Sequence, residues 1–158
     1  MDLLYFRILK NNKMLRYLIA FFLLVLLASC GKNDDGKVND NNPYLTAPIV
    51  NLNLNLNLPE YNPLQFPGNY LILSQQGIKG IVVYNVNNSL YTAFDLSDPN
   101  HLPSNCSKMT LEGIIATCEC GDGNKYDIVT GQHQSNQQSY PMLAYRVLRN
   151  GNTVSITN

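Results

Sequence analysis

Residues 117–127 read Thr117-Cys118-Glu119-Cys120-Gly121-Asp122-Gly123-Asn124-Lys125-Tyr126-Asp127, and Thr130-Gly131 follows. Two cysteines one residue apart run into a tight loop carrying Gly121 and Gly123. Glycine supplies the left-handed backbone such a turn needs. Residues 126–129 then read as a short strand, and Thr130-Gly131 as the turn that ends it.

Outward from this loop the chain continues as short strands between turn signals. Residues 50–58, VNLNLNLNL, alternate without a break, which places Val50, Leu52, Leu54, Leu56 and Leu58 on one face of a half-buried strand. Pro59 ends it, and LQFPG at 64–68 turns into strands at 70–74, 81–86 and 90–96, with Asn87-Asn88 as a hairpin turn. A Pro-, Asn- and Ser-rich loop fills 97–107. A hairpin at 109–118 turns at Glu112-Gly113, a polar loop spans 132–139, and a closing hairpin at 145–157 turns across Asn150-Gly151-Asn152. No window carries helical periodicity, so the expectation is one all-β domain, a sandwich or barrel, over residues 49–158.

The order of these pieces, from a leucine-x-x-Pro-Gly turn through GIVVYN and YTAFD to the Cys-x-Cys-Gly loop, Tyr126-Asp127 and Thr130-Gly131, resembles the Rieske iron–sulfur domain. The resemblance spans most of residues 60–157 and implies a Rieske-like antiparallel β fold. A Rieske centre binds its [2Fe–2S] cluster through two thiolates on one iron and two imidazoles on the other. Cys118 matches the thiolate of the family's second box, but Gly121 stands where its histidine belongs. Counting back from Cys106 in the first loop puts His101 at the thiolate position and Pro103 at the imidazole position. At most one of four ligands is in place, so the expected cofactor is none, with a [2Fe–2S] centre of atypical ligands as the alternative.

By the same resemblance Cys106 and Cys120 fall where some members carry a disulfide bracing the cluster loops, which implies a Cys106–Cys120 bridge. The residues alone also allow Cys106–Cys118, whereas Cys118–Cys120 is strained in an extended strand. The thiol left over is the candidate reactive sulfur. His101 and His133 are the only histidines, and with Cys118 they form a candidate two-histidine, one-cysteine metal site. Asp95, Asp98, Asp122 and Asp127 could suggest carboxylate catalysis, but Asp122-Gly123 and Asp98-Pro99 are better explained as turns.

The N-terminal segment argues about location. Lys13 and Arg16 precede an eleven-residue apolar run at 18–28, and Leu27-Ala28-Ser29-Cys30 sets small residues ahead of a cysteine. The run falls short of the roughly 20 residues needed to cross a bilayer. The segment resembles the lipobox of bacterial lipoproteins, which implies a signal peptide at 1–29 (with Met14 as a better start), lipidation of Cys30 and a lipid anchor in the outer membrane. Residues 30–48 then hold the lipidated cysteine and a disordered tether. Lys32-Asn33-Asp34-Asp35 resembles the surface-export signals of Bacteroidota lipoproteins, which leaves the domain facing either the periplasm or the cell surface.

Removing residues 1–29 takes four basic and one acidic side chain from 11 of each, leaving seven basic and ten acidic, net −3. No basic patch remains to hold a nucleic-acid backbone. No Ser-His-Asp arrangement and no phosphate-cradling loop is present. The function expected is a non-enzymatic envelope component, binding or structural, with an envelope protein as partner, or, in the alternative, a [2Fe–2S] electron-transfer partner of an oxidoreductase.

Overall fold

The computed structural model describes residues 42–136 and 139–158. The expected signal peptide, Cys30 and the expected tether up to residue 41 lie outside the described residues. Among the described residues nine strands and one 3-10 helix are formed: β1 (Asn51–Asn55), the 3-10 helix (Pro59–Gln65), β2 (Tyr70–Leu73), β3 (Ile81–Asn85), β4 (Tyr91–Asp95), β5 (Thr110–Glu112), β6 (Ile115–Thr117), β7 (Lys125–Asp127), β8 (Arg146–Asn150) and β9 (Thr153–Thr157). They form three antiparallel sheets, ordered β1-β9-β8, β2-β3-β4 and β5-β6-β7. The all-β architecture is the one the strand pattern predicts.

The alternation in 50–58 does set the register of β1. Leu52 pairs with Ile156 and Leu54 with Val154, so the leucines face the core and Asn53 meets Ser155 on the wet side. The strand stops at Asn55, and Leu58 is exposed. Pro59 and Pro63 turn the chain into the 3-10 helix, which the periodicity did not announce; its one buried residue is Leu64. Seven residues are too few for an apolar stripe to register.

β3 explains why its sequence reads as an unbroken apolar run. Ile81 and Val83 point into one core with Leu54, Leu56, Leu64, Val154 and Ile156. Val82 points to the opposite face, into a second core with Phe94, Met109, Ala116, Tyr126 and Ile128. β4 divides the same way, Tyr91 and Ala93 against Phe94. β3 and β4 of the middle sheet are thus buried on both faces, and period two vanishes where neither face is wet. Residues 143–145 continue this sheet along β4, through Asp95 N–H to Leu143 O at 2.9 Å and Tyr145 N–H to Ala93 O at 2.9 Å.

The packed chain begins earlier than residue 49. Leu45 is buried in the first core, and Asn42 Nδ2 donates to Pro99 O at 2.8 Å. One apolar residue between Asn, Pro and Tyr gives no periodic signal, so its burial is a tertiary matter.

Candidate functional site

Two loops rise from the second core and face each other. The first runs from Asp98 to Ser107 and is closed at its base by Asp98 N–H to Ser107 O at 2.8 Å. The second runs from Cys118 to Asn124 and is closed by Cys118 N–H to Asn124 O at 2.9 Å. A disulfide joins Cys106 of the first to Cys120 of the second, with Cα atoms 4.9 Å apart. Of the three pairings open to the residues, this is the one the fold makes, and Cys118 is left as a free, buried thiol.

Under the bridge the loops share a polar network centred on Asp98, whose side chain is wholly buried. Its Oδ1 accepts from Tyr126 Oη at 2.8 Å and from the Asn100 amide at 2.8 Å, and its Oδ2 accepts from Asn124 Nδ2 at 3.0 Å. Asn124 Nδ2 also donates to Asp122 Oδ2 at 2.6 Å. His101 Nε2 hydrogen-bonds Asp122 Oδ2 and lies 3.7 Å from Asp98 Oδ2. Both aspartates do serve their turns, Asp98 through the Asn100 amide and Asp122 Oδ1 through the Asn124 amide at 3.2 Å. Their second oxygens carry the site role that the turn chemistry concealed.

These surroundings set the proton affinities. Burial and the neighbouring Asp98 carboxylate push the Cys118 thiol up to about 12, against a weaker lowering by the Cys120 amide. Cys118 is therefore a neutral thiol, not a nucleophile poised for attack. Burial raises Asp122, but the His101 hydrogen bond and the Asn124 amide outweigh it and hold the carboxyl below its ordinary range. Tyr126 is raised by burial and by the adjacent Asp98, despite the opposing bond from Asn100.

Of the predicted candidates, the structure brings His101 and Cys118 together and places His133 apart. His133 Nδ1 accepts from the amides of Ser135 at 3.2 Å and Asn136 at 2.9 Å, and its Nε2 faces Asn124 Oδ1 at 3.2 Å. Its ring stands edge-on to Tyr126, centroids 5.0 Å apart. Both ring nitrogens are engaged by the protein, so His133 braces the network from outside. In its place the structure adds Asp98 and Asp122. One oxygen of each lies within 4.8 Å of a His101 ring nitrogen, of the Cys118 sulfur and of the other.

A [2Fe–2S] cluster of the kind the resemblance implies does not fit these residues. It takes two thiolates on one iron and two imidazoles on the other. Among the described residues Cys118 is the free thiol, Cys106 and Cys120 being bonded to each other, and His101 is the imidazole that reaches it. Gly121, at φ +84°, offers no side chain at the expected histidine position.

No protein-family model matches the chain, and no curated protein matches it. Solved structures do. One is the complex of reduced oxygenase and oxidized ferredoxin in carbazole 1,9a-dioxygenase, 22% identical over 58% of this chain and 82% of that one, TM-score 0.40. A second is a ferredoxin of Sphingomonas yanoikuyae, 22% identical over 59% and 88%, TM-score 0.40. A third is a putative nitrite reductase NADPH small subunit, 13% identical over 61% and 93%, TM-score 0.38. The outer-membrane location expected from residues 14–31 is corrected by these findings. The similar structures are a complex of oxygenase and ferredoxin, a ferredoxin and a putative reductase subunit. The apolar run that carried the expectation lies outside the described residues, and no helix among the described residues is long and apolar enough to cross a membrane. What stands is an all-β domain with two disulfide-linked loops closing over a partial set of metal ligands.

Proposed function

We propose that this is a Rieske-like domain that no longer holds a [2Fe–2S] cluster and acts as a non-enzymatic binding component for a protein partner. The observation that carries the reading is the ligand set: among the described residues Cys118 is the one free thiol and His101 the one imidazole within reach, with Gly121 and Pro103 at the remaining positions. The loops keep their bridge and gain a closed network of Asp98, Asn100, Asp122, Asn124 and Tyr126 in the space between them. Leu102, beside His101, is 69% exposed and presents an apolar side chain at the tip of the first loop. Apolar groups displayed on rigid loops suit protein recognition.

The test is iron and acid-labile sulfide in the full chain, purified and reconstituted without oxygen. Neither is expected. Two irons and two sulfides per chain would overturn the reading and leave the second one, an electron-transfer protein with atypical ligands. That alternative draws its support from the nearness of Cys118 and Cys120 to His101, because reducing the bridge adds thiols at the same spot. A leader cleaved ahead of Cys30, and modification of that cysteine, form a separate part of the proposal resting on residues 14–31. The mass of the mature N-terminus decides it.

A further inference from the structure

Each loop brings two donors to the space between them, Asp98 and His101 from one and Cys118 and Asp122 from the other. The set is two carboxylate oxygens, an imidazole nitrogen and a sulfur. We propose that Asp98, His101, Cys118 and Asp122 bind a single divalent cation of borderline softness, zinc above all, as a mononuclear site. The proposal rests on the reading that no cluster is held, since the same sulfur and imidazole cannot serve both.

Donor chemistry and spacing favour it. Zinc takes nitrogen, sulfur and carboxylate oxygen in tetrahedral array, and hard cations such as magnesium do not choose thiolate. Zinc bonds of about 2.0–2.3 Å put tetrahedral donors roughly 3.3–3.8 Å apart. His101 Nε2 and Asp98 Oδ2 are already at 3.7 Å, and none of the four donors is more than 4.8 Å from another. Closing the set takes shifts of about an ångström on the two loops, the wider pairs moving in and the hydrogen-bonded His101 and Asp122 moving apart to admit the ion.

Charge points the same way. Two carboxylates face each other here, one of them wholly buried, and among the described residues the ion pairs within 4 Å of either come from His101. The other donors to Asp98 are neutral, from Tyr126, Asn124 and the Asn100 amide. They orient the carboxylate without cancelling its charge, which is the part outer groups play around a bound metal. Asn124 Nδ2 holds both ligating carboxylates at once. The Cys106–Cys120 bridge keeps the loops in register before any ion arrives. On binding, the Cys118 thiol releases its proton to solvent, and His101 loses the Nε2 proton with which it meets Asp122 and carries one on Nδ1, so that Nε2 ligates as a neutral imidazole.

The test uses the full chain with its disulfide intact, titrated with zinc and, separately, with cobalt(II) as the optical probe. One zinc per chain without sulfide is expected. Cobalt should give tetrahedral visible bands and a thiolate-to-cobalt charge-transfer band. Cys118→Ser should abolish the charge-transfer band, and Asp122→Asn should weaken binding by more than about tenfold. Asp98→Asn disturbs a buried network and is not needed, because the other two variants lie on the second loop. The proposal is overturned by a folded chain that binds neither ion saturably, by bound cobalt with no thiolate band, or by both variants binding as wild type. Two irons with two sulfides per chain would instead overturn the cluster-free reading, so the two failures are told apart.

Discussion

Tyr126 Oη donates a 2.8 Å hydrogen bond to Oδ1 of Asp98, a carboxylate with no solvent exposure, across 28 residues of chain. The bond ties the first strand after the second loop to the base of the first loop. Tyr126 Oη also accepts from Asn100 Nδ2 at 2.8 Å, so one hydroxyl serves both ends of the network. Tyr126→Phe keeps the ring in its core and removes only this hydroxyl. A buried acceptor left short of a donor costs about 1–3 kcal/mol, and urea unfolding should show a loss in that range. A change below about 0.5 kcal/mol would mean water replaces the hydroxyl without penalty.

Removing the bridge should be more damaging than removing the free thiol. The cross-link spans a separation of 14 residues, and a loop of that length contributes about 3 kcal/mol. The paired variant Cys106→Ser with Cys120→Ser is expected to lower the thermal midpoint by several degrees or more, on the order of the shift such a free-energy loss produces. Cys118→Ser should leave the midpoint within a small fraction of that. Equal losses from both would mean the bridge adds nothing beyond packing.

Cys118 should resist alkylation in the native protein. It is buried, and its thiol is pushed up to about 12, which leaves a thiolate fraction on the order of one in ten thousand at pH 8. Iodoacetamide followed by peptide mass spectrometry should label Cys118 in urea and not in buffer over the same minutes. Complete native labelling would show that the second loop opens freely.

Alkali should unfold the domain earlier than its aspartates would suggest. Burial first, and then the neighbouring Asp98 and Asp95 carboxylates, raise Tyr126 and Tyr145 above the ordinary tyrosine range. Above pH about 10 the unfolded chain loses those phenolic protons while the folded chain keeps them. The folded state then binds more protons, so stability is full below pH 10 and falls as pH rises. Urea midpoints measured from pH 8 to 11 should decline, and the decline should be shallower in Tyr145→Phe. A flat profile would show that both hydroxyls ionise in place.

Two loop glycines should differ sharply. A Cβ on Gly131, at φ +74°, would lie 2.4 Å from Phe94 Cε1, whereas one on Gly121, at φ +84°, meets nothing within 4 Å. Gly121→Ala carries only the left-handed backbone penalty of about 1–2 kcal/mol. Gly131→Ala adds an overpacked ring and should cost at least about 1 kcal/mol more in chemical denaturation. Equal costs would mean that Phe94 swings away without loss.

By itself the sequence determined the strand inventory and the register of its most regular strand. Alternation in 50–58, glycines at the turns and hairpin signals at Asn87-Asn88 and Gly151 are local, and local geometry obeys them. The two facing loops and the missing cluster ligands were equally legible, because Gly121 and Pro103 cannot ligate wherever they sit. What the tertiary structure decided was which distant groups meet. Three cysteines left the pairing open to the residues, and Cα atoms 4.9 Å apart settled it for Cys106 and Cys120. His133 looked like a partner for Cys118 until its nitrogens were found against Asn124 and two loop amides. Asp98 and Asp122 looked complete as turn residues, because one oxygen of each is. The other oxygen answers to a loop some twenty residues away, and no periodicity or spacing records where a carboxylate aims its second lone pair.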